Sequence, residues 1–276
     1  MKPSWEKEDE MRGYINILSN AVQRSISYRI DVYFILISRV IGLLVQISIW
    51  RALFSGEEYV SYSGGVLSIQ EIVTYMMLSA FLSLLINTRV TNTINDKIKT
   101  GEIAMDMIKP LNFKYYMIFD TIGYNLFLIL FQVIPLSLLA LLFFKITLPS
   151  IPYMLLFVVS VINGMIINFI MEYVIGVMAF WFIVSWPLQM LHRSLVKVFS
   201  GIWIPIWFFT DSVQAINDIL PFKYIFFTSA SIFLEKLTFH EAYIQIFIQY
   251  IWIIVLVLAE RFIWNKGLNR LIIQGG

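Results

Sequence analysis

Read for hydrophobic and polar positions alone, the chain is a series of long apolar runs divided by short polar ones. Apolar runs at about 30–53, 69–88, 116–144, 153–186, 195–209 and 241–263 mostly come near the roughly 20 residues needed to cross a hydrocarbon core of about 30 Å. They are apolar on every side, without the alternating ten-residue segments of a membrane barrel. The pattern predicts an all-α, polytopic helical membrane protein with about six transmembrane helices. Two runs are irregular. Tyr153 to Trp186 is long for one crossing and short for two, and reads as one tilted or extended helix stopped at Trp186-Pro187. The fifth run contains Gly201 and Pro205 and reads as a broken span. Beyond it, residues 210–237 are semi-polar, with Asp211-Ser212 as a helix cap and Leu220-Pro221-Phe222 as a stop.

The polar stretches supply the boundaries. Residues 1–29 are predicted to form a cytoplasmic N-terminal interfacial helix, because Ile15, Leu18, Val22 and Ile26 recur at helical spacing beside Arg12, Arg24 and Arg29. Residues 30–264 form the transmembrane domain and 265–276 a basic cytoplasmic tail. Residues 54–68, with Glu57, Glu58 and Gly64-Gly65, read as a turn-rich loop. His192, Arg193 and Lys197 read as a small basic turn between the fourth and fifth spans.

The longest polar interruption, Val90 to Leu111, has an order of its own. Ile94 and Ile98 lie four apart, and Ile103, Met107 and Ile108 follow Gly101, which predicts two short amphipathic helices hinged at Gly101 and stopped by Pro110. Such a stretch suits helix-in-groove docking of a soluble partner. Ile94, Ile98 and Ile103 would fill the groove, while Lys97, Lys99, Glu102 and Asp106 line its rim and set orientation. On that reading Ile98→Asp leaves the spans folded and abolishes function. The competing reading is a solvated loop on the lipid headgroups.

Composition adds little to the class but constrains the chemistry. The chain is 59% hydrophobic and 14% charged, with a mean hydropathy of +0.78. Fifteen lysines and arginines lie before the first span, at the central stretch, near His192 and in the tail, against four, Arg51, Lys145, Lys223 and Lys236, on the opposite side. The positive-inside rule places both termini and the central stretch in the cytoplasm of a multi-pass protein of the cell membrane. There is no phosphate loop, HExxH or GxSxG motif, no cysteine, and only two histidines, His192 and His240, far apart. No catalytic residue, metal ligand or bound cofactor is assigned, and nucleic acid is not an expected partner.

Asp31, Arg39, Asp120 and Glu172 fall within or at the edges of spans, where a charge is expensive and needs a partner or a polar cavity. Arg39 is expected to pair with Glu172, with Asp120 and Asp31 as alternatives, in a structural ion pair rather than a translocation role.

Several short motifs carry a family likeness in their order and spacing. They are Tyr28-Arg29 with Asp31, Lys99-Thr100-Gly101-Glu102-Ile103 leading to Ile108-Lys109-Pro110-Leu111, Gly176 to Phe180-Trp181, and Ser200-Gly201 with Ile204-Pro205. Leu220-Pro221-Phe222, Trp264, Gly267 and Gly275-Gly276 complete the series. With them the chain resembles the ABC-2-type permeases, the membrane subunits of one class of ATP-binding-cassette exporters, and within these the short permeases that work beside a separate ATPase. Lys99 stands where an arginine is common in that family. The resemblance implies a cytoplasmic coupling helix between the second and third spans and an outer, partly re-entrant segment between the fifth and sixth. It also implies nucleotide-binding ATPase subunits carrying ATP-Mg, a second permease copy or paralogue, and a membrane lipid environment. An ATPase-independent channel or scaffold subunit is the alternative, and an intramembrane enzyme a third reading.

Overall fold

The computed structural model describes residues 4–26, 29–54, 57–62, 65–86, 88–109, 111–144, 146, 148–182 and 186–275, with backbone alone for 4–10, 29–33 and 270–275. Tyr28, Pro110 and Gly276, and the side chains of Arg29 and Asp31, lie outside the described residues. The elements in chain order are α1 (Ser4–Ile26), α2 (Arg29–Leu53), β1 (Tyr59–Tyr62), β2 (Gly65–Ser68), α3 (Ile69–Ile86), α4 (Val90–Lys99) and α5 (Glu102–Ile108). There follow α6 (Phe113–Leu128), α7 (Ile134–Phe143), α8 (Ile151–Val177), α9 (Trp186–Phe199), α10 (Asp211–Ile219), α11 (Phe227–Phe233) and α12 (Phe239–Gly275). Among the described residues five helical stretches are long and apolar enough to cross a membrane: Phe34–Leu53, Ile69–Lys99, Phe113–Phe143, Ile151–Phe180 and Phe239–Asn269. The chain is a polytopic helical membrane protein.

Local sequence fixes where these helices begin. Ser68 and Glu71 form a reciprocal cap at α3: the Glu71 amide donates to the Ser68 hydroxyl at 3.2 Å and the Ser68 amide to the Glu71 carboxylate at 2.8 Å. Thr238 and Glu241 repeat the device at α12. At α6 the Asn112 side chain accepts from the amides of Lys114 and Tyr115. Between α6 and α7, Ile129–Val133 widens into a π turn. Its cause is Pro135, which has no amide to give back to the preceding turn and whose ring crowds that turn.

Several expectations change. The fourth span ends at Phe180, and the next helix starts at Trp186, nine residues earlier than the run of apolar residues suggests, and it is not among the five stretches long and apolar enough to cross. Pro187 stands in the first turn of α9, where its missing amide costs nothing, so it opens a helix instead of stopping one. Arg193 and Lys197 therefore lie within α9 and not in a turn. The loop 54–68 contains an antiparallel hairpin pairing Tyr59 with Ser68 and Tyr62 with Gly65. Thr210, and not Asp211, is the residue preceding α10. The tail predicted at 265–276 continues α12 to Gly275.

α1 is more than a surface anchor. Gly13 lies against Leu111, Tyr14 stacks on Phe119 at 5.1 Å between ring centroids, and Arg24 pairs with Asp120, so α1 runs alongside the first turns of α6. Asp120 is thereby spoken for outside the predicted pairing with Arg39.

α9 has 14 residues and at 1.5 Å each spans only about 21 Å. The irregular residues 200–208 continue from it, ending where Trp207 meets Tyr62 of the hairpin and Phe208 meets Trp50 of α2. Their backbone is satisfied from α3, whose Tyr75 and Ser79 hydroxyls donate to the carbonyls of Gly201 and Ile202, each at 2.7 Å. α10 then turns back inward, its Asn217 amide donating to the Phe199 carbonyl at 2.9 Å. After Pro221, α11 leads to Lys236, which pairs with Glu71 beside the hairpin at 2.6 Å. This is the re-entrant segment between the fifth and sixth crossings. A buried knot ties it to the bundle: Gln249 of α12 donates from Nε2 to the Tyr224 carbonyl at 2.9 Å and to Ser160 of α8, whose hydroxyl also meets that of Ser229.

Candidate functional site

The central stretch folds as its spacing predicts, into α4 and α5 around Gly101. Gly101 sits at φ 76°, in the left-handed region that a side chain would strain, and its carbonyl receives the Ala104 amide at 3.1 Å. What differs is the direction of the apolar face. Ile94 and Ile103 are fully buried, and Ile98 is half-buried against the same cluster, made by Phe169, Ile170, Tyr173 and Val177 of α8 with Phe113 and Met117 of α6. Ile94 lies directly over Gly176. These three isoleucines thus bind the stretch to its own bundle and do not face a partner. Amphipathic spacing shows that a face must be covered, but not by which surface.

Two of the four predicted rim residues are also used internally. Asp106 of α5, buried itself, receives Lys97 of α4 at 2.5 Å and Lys109 at 2.6 Å. Burial pushes the Asp106 carboxyl up, but the hydrogen bonds and charges of Lys109 and Lys97 outweigh it and hold the group below its ordinary value of 3.8. The clamp is therefore whole above pH 3.8 and is lost only as pH falls through the lower folded value. Asp106→Asn is expected to loosen α5 from α4 by about 1–3 kcal/mol, the worth of hydrogen bonds to charged groups. Limited proteolysis at Gly101 checks this: cleavage should rise several-fold at neutral pH, and an unchanged rate counts against the clamp.

Lys99, Gly101 and Glu102 are exposed. They border an outward apolar strip, with Met105 67% and Ile108 79% exposed and Met107 beside them, so the side that the spacing gave to Ile103, Met107 and Ile108 together is divided, Ile103 facing the bundle and the other two facing out. The signal was present in the run Ala104 to Ile108, whose apolar residues are too many for one buried face.

At the root of α4 the stretch meets Glu172 of α8. One carboxylate oxygen accepts from the hydroxyls of Thr88 and Thr91 at 3.0 and 2.9 Å. The other faces Arg193 Nε of α9 at 3.8 Å. Glu172 thus pairs with Arg193. Arg39, the expected partner, makes no ion pair or hydrogen bond among the described residues, although it lines the same space. That space is a cavity of about 900 Å³ between α2, α3, α8 and α9. It brings together Arg39, Arg193 and Lys197 with Glu172, His192 and Asn168. Arg193 and Lys197 were missed as cavity residues because the start of α9 was misplaced.

The comparisons agree with this architecture. The sequence matches none of the curated proteins with which it was compared. A family model described as ABC-2 family transporter protein matches residues 40–275, which takes in α3 to α12, the α4–α5 stretch and the cavity lining from Gly42 onwards, with Phe34, Ile35, Ser38 and Arg39 just ahead of the match. By that match and by its membrane-spanning fold, the chain belongs to the ABC-2 family of transporter proteins, as a permease component.

Proposed function

We propose that the chain is the membrane subunit of an ATP-driven exporter of the cell membrane, with both termini cytoplasmic, and that α4–α5 is its coupling element. It binds no cofactor and performs no catalysis. ATP-Mg is hydrolysed on separate nucleotide-binding subunits, and a second permease, identical or a paralogue, completes the pathway through the lipid bilayer. ATP-driven closure of those subunits pushes on α4–α5 and biases the permeases between inward and outward access. Moving Arg193 and Lys197 into α9 leaves thirteen of the fifteen cations on the α4–α5 side against four opposite, and the positive-inside rule keeps that side cytoplasmic.

The observation that carries this reading is the division of labour in α4–α5. One face is anchored in the bundle by Ile94 and Ile103, the Asp106 clamp joins the two helices, and Met105 and Ile108 project outward between Lys99, Glu102 and Lys109. An element that transmits force needs a rigid root and an exposed head, and this one has both. The chain lacks cysteine, so Met105→Cys and Ile108→Cys are unique probes. Each is expected to cross-link to a co-expressed ATPase subunit with a yield that changes when nucleotide is trapped. Cross-links to lipid alone would make the stretch a membrane-surface loop and remove the coupling role.

A further inference from the structure

The cavity between α2, α3, α8 and α9 carries more positive charge than its own residues satisfy. Arg39, Arg193 and Lys197 face it, against the single carboxylate of Glu172. That carboxylate is already committed, one oxygen to Thr88 and Thr91 and the other towards Arg193. Lys197 Nζ lies 5.3 Å from the ring of Trp203 and makes no ion pair among the described residues. Arg39 has no ionic or hydrogen-bonding partner among the described residues. It lies five residues inside the membrane-spanning stretch Phe34–Leu53, about 8 Å along the helix from the near end, where a guanidinium without a partner gains from an anionic one.

Polar groups in the same wall are also unspent. His192, 6% exposed, has no partner at Nδ1 or Nε2, and Asn168, 1% exposed, has none at Oδ1. The rest of the wall is apolar, from Phe34, Ile35 and Ile49 of α2 to Trp203. A small cation would meet repulsion here, and a neutral apolar molecule would leave the charges stranded. Guanidinium forks suit the paired oxygens of phosphate or carboxylate, and the apolar wall suits a hydrocarbon tail.

We propose that this cavity is the binding site for an anionic amphiphile, its phosphate- or carboxylate-class head held by Arg39 and Arg193 and its tail along α2. As the substrate class of the permease, the assignment rests on the exporter reading. As a binding site, it stands without it.

The test uses the purified full chain in nanodiscs of phosphatidylcholine. Dodecyl phosphate is expected to bind, and dodecyltrimethylammonium, with the same tail and opposite charge, is not. Arg39→Gln should weaken dodecyl phosphate about tenfold or more, and Arg39→Lys should restore most of it. Should Arg39→Gln fail to yield folded protein, Arg193→Gln gives the same comparison. Equal binding of both amphiphiles, or no loss in the variant, overturns the assignment. Two arms separate the sources of the ligand. Competition by phosphatidylglycerol incorporated in the disc identifies a resident membrane lipid as the occupant. Stimulation of the ATPase in the assembled complex by dodecyl phosphate, absent in Arg39→Gln, identifies a transported one. Binding without ATPase association would leave this site standing and remove the exporter reading, and cross-linking at Ile108 without binding would do the reverse.

Discussion

Gly164→Val is expected to abolish the folded protein, with no monodisperse peak in detergent and no cooperative melting transition. Gly164 lies on α8 where the re-entrant segment turns, and a Cβ added there would stand 2.5 Å from the Ile225 carbonyl oxygen and 3.1 Å from that of Tyr224. Those atoms are backbone, so no side chain can swing away to make room. The segment is also held from the other side, by Gln249 on the Tyr224 carbonyl and by the Phe227 amide on the Ser200 carbonyl. Overpacking of this kind costs about 1–3 kcal/mol, and prising the segment from Gln249 adds about 1–3 kcal/mol for buried groups left unpaired. Gly164→Ala should be impaired less. A Gly164→Val protein that melts within a degree or two of the native chain would mean that α8 and the turn do not touch.

The second large effect is a contrast within one stretch. Ile94→Asp is expected to destabilise the protein by roughly 3–5 kcal/mol or more, because an unpartnered carboxylate replaces a side chain that no solvent reaches. Ile108→Asp, at a side chain 79% exposed, should change stability by less than about 0.5 kcal/mol, yet abolish transport. The structure thus moves the informative substitution away from Ile98, which is half-buried against the cluster and would report on packing as much as on docking. Melting temperature and transport measured on both variants decide it. A stable Ile94→Asp protein, or a transporting Ile108→Asp protein, would show that the two faces have been assigned the wrong way round.

Much of this fold is legible in the chain. Run length gives the first three long helical stretches to within three residues, because each must satisfy its backbone internally across the same thickness of hydrocarbon. It overruns the end of the fourth and stops short of the end of α12, which continues past the apolar run. The hinge at Gly101 is legible because a glycine between two amphipathic pieces has few other uses. α9 was not, since its apolar face is narrow and Pro187 carries opposite meanings in the first turn of a helix and in its interior. Its displacement hid Arg193, and with it the partner of Glu172. The direction in which Ile94 and Ile103 point was beyond sequence for a different reason. Periodicity defines a face relative to the helix axis, whereas the surface that covers it depends on residues such as Gly176 and Tyr173, some eighty positions away.

The knot at Gln249 also bears on biogenesis. The re-entrant segment leaves the ribosome ahead of α12, so during synthesis the Tyr224 carbonyl reaches the membrane before the side chain that will donate to it exists. Lipid offers no substitute donor at that depth. Until α12 is inserted, the segment has reason to stay in contact with water or with the insertion machinery, and the arrival of the last helix makes its return into the bundle favourable. Insertion of α12 and docking of the segment are therefore coupled, and a nascent chain that stops short of α12 presents an undocked segment to the cell's proteases.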